Sequence, residues 1–203
     1  FKGQTISENE LGITGWIQGT DYTGERGFEI FVANEQVRIL WDALLDEGGH
    51  GICPVGLGAR DTLRMEKGFL LSGQDFCAAD LTDDSNLMRD SAETFVPFGL
   101  NLDHDFIGKA RVEATKEAQL AGHGTKWLGL KTTGKGPFPR TDHVVMLDGE
   151  PVGTITSGGP SPSLGRVGIG LACLEGVEVG AEVGKSVNPR RNLRAIVMRP
   201  PFI

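Results

Sequence analysis

His143-Val144-Val145-Met146-Leu147-Asp148-Gly149-Glu150-Pro151-Val152-Gly153-Thr154-Ile155-Thr156 places two short apolar runs on either side of an Asp-Gly pair. That pair accepts the positive φ values of a two-residue turn, so the stretch predicts an antiparallel β-hairpin. Working outward, similar apolar runs occupy residues 127–131, 167–172, 182–187 and 195–198. Six short strands in this space leave little room for helices and predict a small β-barrel or sandwich. Gly158-Gly159-Pro160-Ser161-Pro162-Ser163 reads as a turn-rich break between two of the strands.

The pattern upstream is mixed. Residues 13–17 and 28–32 read as strands joined by a glycine-rich loop, residues 19–27. Asn34 is a good N-cap, and Val37, Leu40, Trp41, Leu44 and Leu45 follow at helical spacing until Gly48 closes the run. A second helix is predicted over 57–67, stopped by Gly68, and a polar surface helix over 106–120, ending at Gly122. Residues 77–98 are mixed and acidic, with Pro97 breaking any long helix. The fold class expected is therefore α+β: an α+β part over 1–120, then an all-β part over 121–203.

Composition narrows the function. The chain has 203 residues, 23% charged and 39% hydrophobic, enough to bury a core without disulfide or metal staples. Glycine, at 30 residues, is roughly twice its usual ~7% share, which predicts many tight turns and close backbone approaches. No run of about 18 apolar residues predicts a membrane span. The first residue is Phe1 and nothing there resembles a signal peptide, so a fragment or processed chain of cytoplasmic location is expected, or of the mitochondrial matrix in a eukaryote. The formal net charge of −7 argues against nucleic acid as a partner. Residues 1–120 carry 10 basic against 21 acidic side chains and residues 121–203 carry 10 against 6, which supports two modules meeting near 120–123. Cys53, Cys77 and Cys173 are odd in number and form no C-x-x-C, so they read as reduced thiols. The four histidines show no metal-ligand spacing, and no metal is expected.

Familiar catalytic motifs fail. Gly56-Leu57-Gly58-Ala59-Arg60-Asp61 begins like a dinucleotide loop but ends in Asp, and Gly159-Pro160-Ser161-Pro162-Ser163 misses the final glycine of a nucleophile elbow. Glu29 is the informative residue. Strand alternation puts Glu29 and Phe31 on one face, with Phe28, Ile30 and Val32 on the other. That face is either solvated or a pocket in which a carboxylate accepts two hydrogen bonds beside a ring. Arg60 and Arg64 share a helical face, with Asp61 placed to pair with Arg64 at the surface. The two arginines could instead frame a polar ligand.

Several stretches, in order, resemble one family. Asp21-Tyr22-Thr23-Gly24-Glu25-Arg26-Gly27-Phe28-Glu29-Ile30, then Gly56-Leu57-Gly58-Ala59-Arg60-Asp61-Thr62-Leu63-Arg64-Met65-Glu66, then Leu71-Ser72-Gly73-Gln74-Asp75 closely resemble aminomethyltransferases, the T-proteins of the glycine cleavage system. Phe106-Ile107-Gly108-Lys109 and the segment from Gly153 to Leu164 match later landmarks. The resemblance covers nearly the whole chain but only the C-terminal part of a family member. It implies a three-domain cloverleaf around a folate cavity, ending in a small β-barrel. It also implies transfer of a methylene group from an aminomethyl-lipoyl H-protein to tetrahydrofolate, with release of ammonia. By the same resemblance Glu29 grips the pterin, Arg60 is a second folate contact, Tyr22 lines the cavity, and Phe69 lies beside the ligand. The family's catalytic aspartate belongs to an N-terminal half outside this sequence, so no catalytic residue is assigned here. Ser72 stands where the family usually has tyrosine, and the tyrosine that follows the end of this chain in some members is absent. Those departures leave two alternatives, a folate-dependent demethylase and a non-catalytic folate-binding module.

Overall fold

The computed structural model describes residues 2–7, 9–46, 51–77, 88–94, 100–134, 136–186 and 192–203. They divide into two compact units, Phe1–Arg64 and Met65–Ile203.

In the first unit, β1 (Gly3–Ile6), β2 (Gly15–Gln18) and β3 (Glu29–Val32) form an antiparallel sheet in the order β1-β2-β3. The register sets Trp16 opposite Phe31 and Gln18 opposite Glu29. Side chains two apart share a face, so these four residues lie on one side of the sheet. Helix α1 (Asn34–Asp46) has Asn34 as its first residue, and none of its residues is buried. Its apolar stripe is not core: Val37 and Trp41 are about half exposed, at 50% and 52%. Helix α2 (Leu57–Glu66) carries Arg60 and ends just before Gly68.

The second unit holds the expected barrel. Strands β4 (Thr125–Thr132), β5 (Val144–Leu147), β6 (Glu150–Ser161), β7 (Val167–Glu175), β8 (Glu182–Ser186) and β9 (Asn192–Met198) close in the order β4-β7-β6-β5-β8-β9. The β4–β9 ladder completes the ring. Alternation explains why β4 and β7 read as continuous apolar runs. Leu128, Leu130, Ala172 and Leu174 join Val145, Ile155, Val183 and Val197 in one buried cluster. Their neighbours Trp127, Ile169, Leu171 and Cys173 form a second cluster with Met65 and Phe202. Both faces of these strands are thus covered, and the hydrophobic pattern loses its polar half.

Two expectations change here. The Gly158-Gly159-Pro160-Ser161 segment continues β6, pairing with Gly170, Ile169, Gly168 and Val167, and the turn comes only after Ser161. Glycine is needed at 158 because a Cβ there would stand 2.6 Å from the Pro139 carbonyl carbon. The third helix, α3 (Lys109–Leu120), starts three residues later than the polar pattern predicts, after Gly108 at φ 92°.

Candidate functional site

The loop between β2 and β3 is shaped by Asp21. Its Oδ1 accepts hydrogen bonds from the Thr23 N–H, the Thr23 hydroxyl at 2.6 Å and the Gly24 N–H at 2.9 Å. This is the local side-chain turn that Asp favours. The Thr23 hydroxyl and then the Thr23 N–H hold the Asp21 carboxyl below its ordinary range. The turn presents Tyr22, and the Arg60 guanidinium lies over the Tyr22 ring, 4.6 Å from its centroid. That is a cation–π contact.

Glu29 opens β3. Its Oε2 accepts from the Thr20 hydroxyl and from Gln18 Nε2 at 3.1 Å. These bonds, Thr20 first and then Gln18, hold the carboxyl below its usual range; Arg60 pushes the same way and Asp21 opposes it. Glu29 is therefore an exposed, ionised acceptor on a defined strand face. The structure brings Tyr22, Glu29 and Arg60 into one unit. Phe69 lies in the other, partly exposed at 38%. Sequence reasoning missed Gln18 and Thr20, although Gln18 stands two residues from Trp16 on a strand and so shares its face.

Arg64 is not the surface partner that the sequence predicts. Its side chain is fully buried, and its Nε and Nη2 reach Asp61 Oδ1 at 2.8 and 2.7 Å. Arg60 alone of the two arginines presents its charge to solvent.

In the second unit, two matched motifs anchor the barrel. Glu66 is buried at 1% exposure and accepts from Ser161 Oγ, the Ser163 N–H at 3.1 Å and Ser163 Oγ at 2.8 Å. Burial raises its carboxyl, but the Ser161 and Ser163 bonds together outweigh that and leave it below the ordinary range. Asp75, also buried, accepts from the Leu71 N–H at 2.8 Å and Ser157 Oγ at 2.7 Å. Gln74 Nε2 donates to Ser157 Oγ at 2.8 Å and to the Thr156 carbonyl at 3.2 Å. That carbonyl is available because the β6–β7 register shifts between Ile155 and Ser157. Ser72 is exposed. A cleft of about 540 Å³ in this unit is lined by residues including Asp90, His104, Phe106 and Arg111, none of them an expected ligand contact. Among the described residues no group of His, Cys, Asp or Glu is placed to hold a metal ion, and no helix is long and apolar enough to cross a membrane.

Comparison with known proteins gives the class first. Residues 4–89 match the GCVT N-terminal domain, and residues 126–203 match the glycine cleavage T-protein C-terminal barrel domain. The barrel in the structure occupies the second of these stretches. The chain belongs to the aminomethyltransferase family, the glycine cleavage T-proteins. It is 37% identical over 195 residues to an aminomethyltransferase of Halalkalibacterium halodurans, covering 95% of this chain and 50% of that one. It is 39% identical to one of Staphylococcus carnosus, over 88% of this chain and 46% of the relative. The fold resembles the crystal structure of glycine cleavage system aminomethyltransferase T from Bartonella henselae, with TM-score 0.74 and 24% identity, over 98% of this chain and 52% of that one. The expected α+β class with a closing barrel holds. The chain spans about half the length of the curated relatives it matches.

Proposed function

We propose that this chain carries the folate-gripping part of an aminomethyltransferase that passes a methylene group from the aminomethyl-lipoyl arm of an H-protein to tetrahydrofolate. Ammonia and 5,10-methylenetetrahydrofolate are the products. The observation that carries the reading is the Glu29 carboxylate, kept ionised on a strand face with the Arg60–Tyr22 pair in the same unit. A pterin presents two adjacent N–H donors on its amino-pyrimidine edge, and an ionised carboxylate is the acceptor such an edge requires. Arg60 suits the carbonyl or carboxylate oxygens of the same ligand. Tyr22 supplies ring surface, and Phe69 is a contact that the resemblance alone assigns. Tetrahydrofolate, when bound, supplies the nitrogen nucleophile; the chain's residues bind and orient it, and none is assigned a catalytic role. Residues 1–120 form the folate-binding part in this reading and residues 121–203 the C-terminal barrel domain, in a cytoplasmic protein.

Calorimetric titration of the full chain with tetrahydrofolate tests it. Glu29→Gln keeps the shape but loses the charge, and affinity should fall on the order of tenfold, the ratio of a charge-assisted to a neutral hydrogen bond. Arg38→Ala, an exposed change on α1, should bind like the parent. Equal affinity for the parent and Glu29→Gln removes Glu29 from the site, and no measurable binding by the parent removes the reading.

A further inference from the structure

We propose that Trp16, Gln18 and Thr20 are positioning residues for Glu29: together they pin carboxylate Oε2 and turn Oε1 toward an incoming two-donor ligand edge. This rests on the reading of Glu29 as the folate contact and adds what determines its geometry.

A run of hydrogen bonds crosses the face shared by β2 and β3. Trp16 Nε1–H donates to Gln18 Oε1 at 3.3 Å. With the carbonyl end of the amide engaged, the Gln18 NH₂ faces the other way. It donates to Thr20 Oγ1 at 2.8 Å and to Glu29 Oε2 at 3.1 Å. The reversed amide would set its carbonyl against the carboxylate oxygen, a repulsive arrangement, and would compete with Glu29 for the Thr20 proton. Thr20 has one hydroxyl proton. Since its oxygen accepts from Gln18, that proton goes to Glu29 Oε2. Each member thereby fixes the donor direction of the next.

Both donors converge on Oε2, and among the described residues Oε1 accepts no hydrogen bond. A carboxylate offers about four acceptor sites, so the two on Oε1 are open. An exposed glutamate otherwise samples many rotamers and must be ordered when a ligand binds. Here the ordering is already done, which is preorganisation of an acceptor. The charged groups around Glu29 act in opposite directions, Asp21 raising and Arg60 lowering its proton affinity, so the two neutral donors dominate its ionisation.

The test uses the full chain with the Glu29 side-chain carboxyl labelled with ¹³C. Its titration is followed by NMR without ligand, and tetrahydrofolate affinity is then measured by calorimetry. Thr20→Val and Gln18→Leu should each raise the Glu29 midpoint and weaken binding on the order of fivefold. Thr20→Ser restores the hydroxyl and should return both readouts to the parent values, which a loss of folding would not do. If Glu29→Gln weakens binding while Thr20→Val and Gln18→Leu titrate and bind like the parent, the positioning role is overturned and the folate reading stands. If Glu29→Gln binds like the parent, the folate reading fails and the positioning proposal falls with it.

Discussion

Replacing Glu66 tests how the barrel is fastened to the last residue of α2. The carboxylate is 1% exposed and receives bonds from Ser161 Oγ, the Ser163 N–H and Ser163 Oγ. Glu66→Ala leaves the fully buried Ser161 hydroxyl without its charged acceptor, a loss of about 1–3 kcal/mol. The two Ser163 donors are partly buried, and water can replace their acceptor at about 1 kcal/mol each. The one buried methylene lost adds about 0.8 kcal/mol, and relief from burying a charge returns part of the total. The net expectation is a loss of about 4 kcal/mol. With a urea slope of about 2 kcal/mol/M this moves the midpoint down by about 2 M. Trp127, 2% exposed, reports the barrel, because Trp16 and Trp41 are already 42% and 52% exposed and change little on unfolding. Glu66→Gln keeps an oxygen for Ser161, and its NH₂ can donate to the Ser163 hydroxyl, so only the charge is lost, at about 1–2 kcal/mol. Neither variant carries a titrating group at position 66, so both differ from the parent in pH behaviour. A carboxyl whose folded-state pKa is depressed contributes stability above its unfolded pKa of about 4.3, lost as pH falls through the folded value. The gap between the parent and Glu66→Gln should therefore close on acidification. A Glu66→Ala midpoint within 0.5 M of the parent (~1 kcal/mol at that slope), or a gap to Glu66→Gln that widens in acid, would refute the reasoning.

Gly153 holds φ +149°, and a Cβ there would stand 2.0 Å from the Cys173 carbonyl oxygen, so Gly153→Ala should cost about 3 kcal/mol in a thermal melt; an unchanged Tm would contradict this. Cys53 is exposed and should react with a maleimide within minutes, whereas Cys173, buried and with its thiol pKa pushed up by that burial, should label only on unfolding. Mass spectrometry of partly labelled protein separates the two sites, and equal rates would sink the assignment. Limited proteolysis should cut within residues 121–124 before it cuts inside β4 or β7, and a first cut inside either strand would place the domain boundary elsewhere.

How much of this was legible in the sequence depended on how far apart the interacting residues lie. The barrel strands announced themselves through apolar runs and the Asp148-Gly149 turn, all local signals. The continuation of β6 through Gly158 and Gly159 did not, because those glycines answer to Pro139 and to the partner strand rather than to a turn. Strand β1, Gly-Gln-Thr-Ile, is too short and polar to show a pattern. Glu29 stood out as an acid in an apolar run, and alternation placed it beside Phe31. Its donors Gln18 and Thr20 were hidden because only the β2–β3 register brings them to it. Glu66 and Asp75 were illegible as buried anchors for the same reason. Their serine partners lie 95 and 82 residues downstream.

The two sheets also differ in how they face other molecules. A ring of strands has no free edge, so the barrel gives a foreign chain no row of unpaired backbone groups to extend. Among the described residues the three-stranded sheet pairs with no further strand, and β3, an edge strand, carries the apolar residues Ile30, Phe31 and Val32. Its only charge is Glu29. A charge at that place on an edge strand is a gatekeeper against self-association. Repeated along a stack of copies it would set like charges side by side, and the hydrogen bonds from Thr20 and Gln18 keep it charged to a lower pH than a free glutamate. In the proposed reading, colloidal stability and ligand binding are therefore tied to the ionisation of a single side chain.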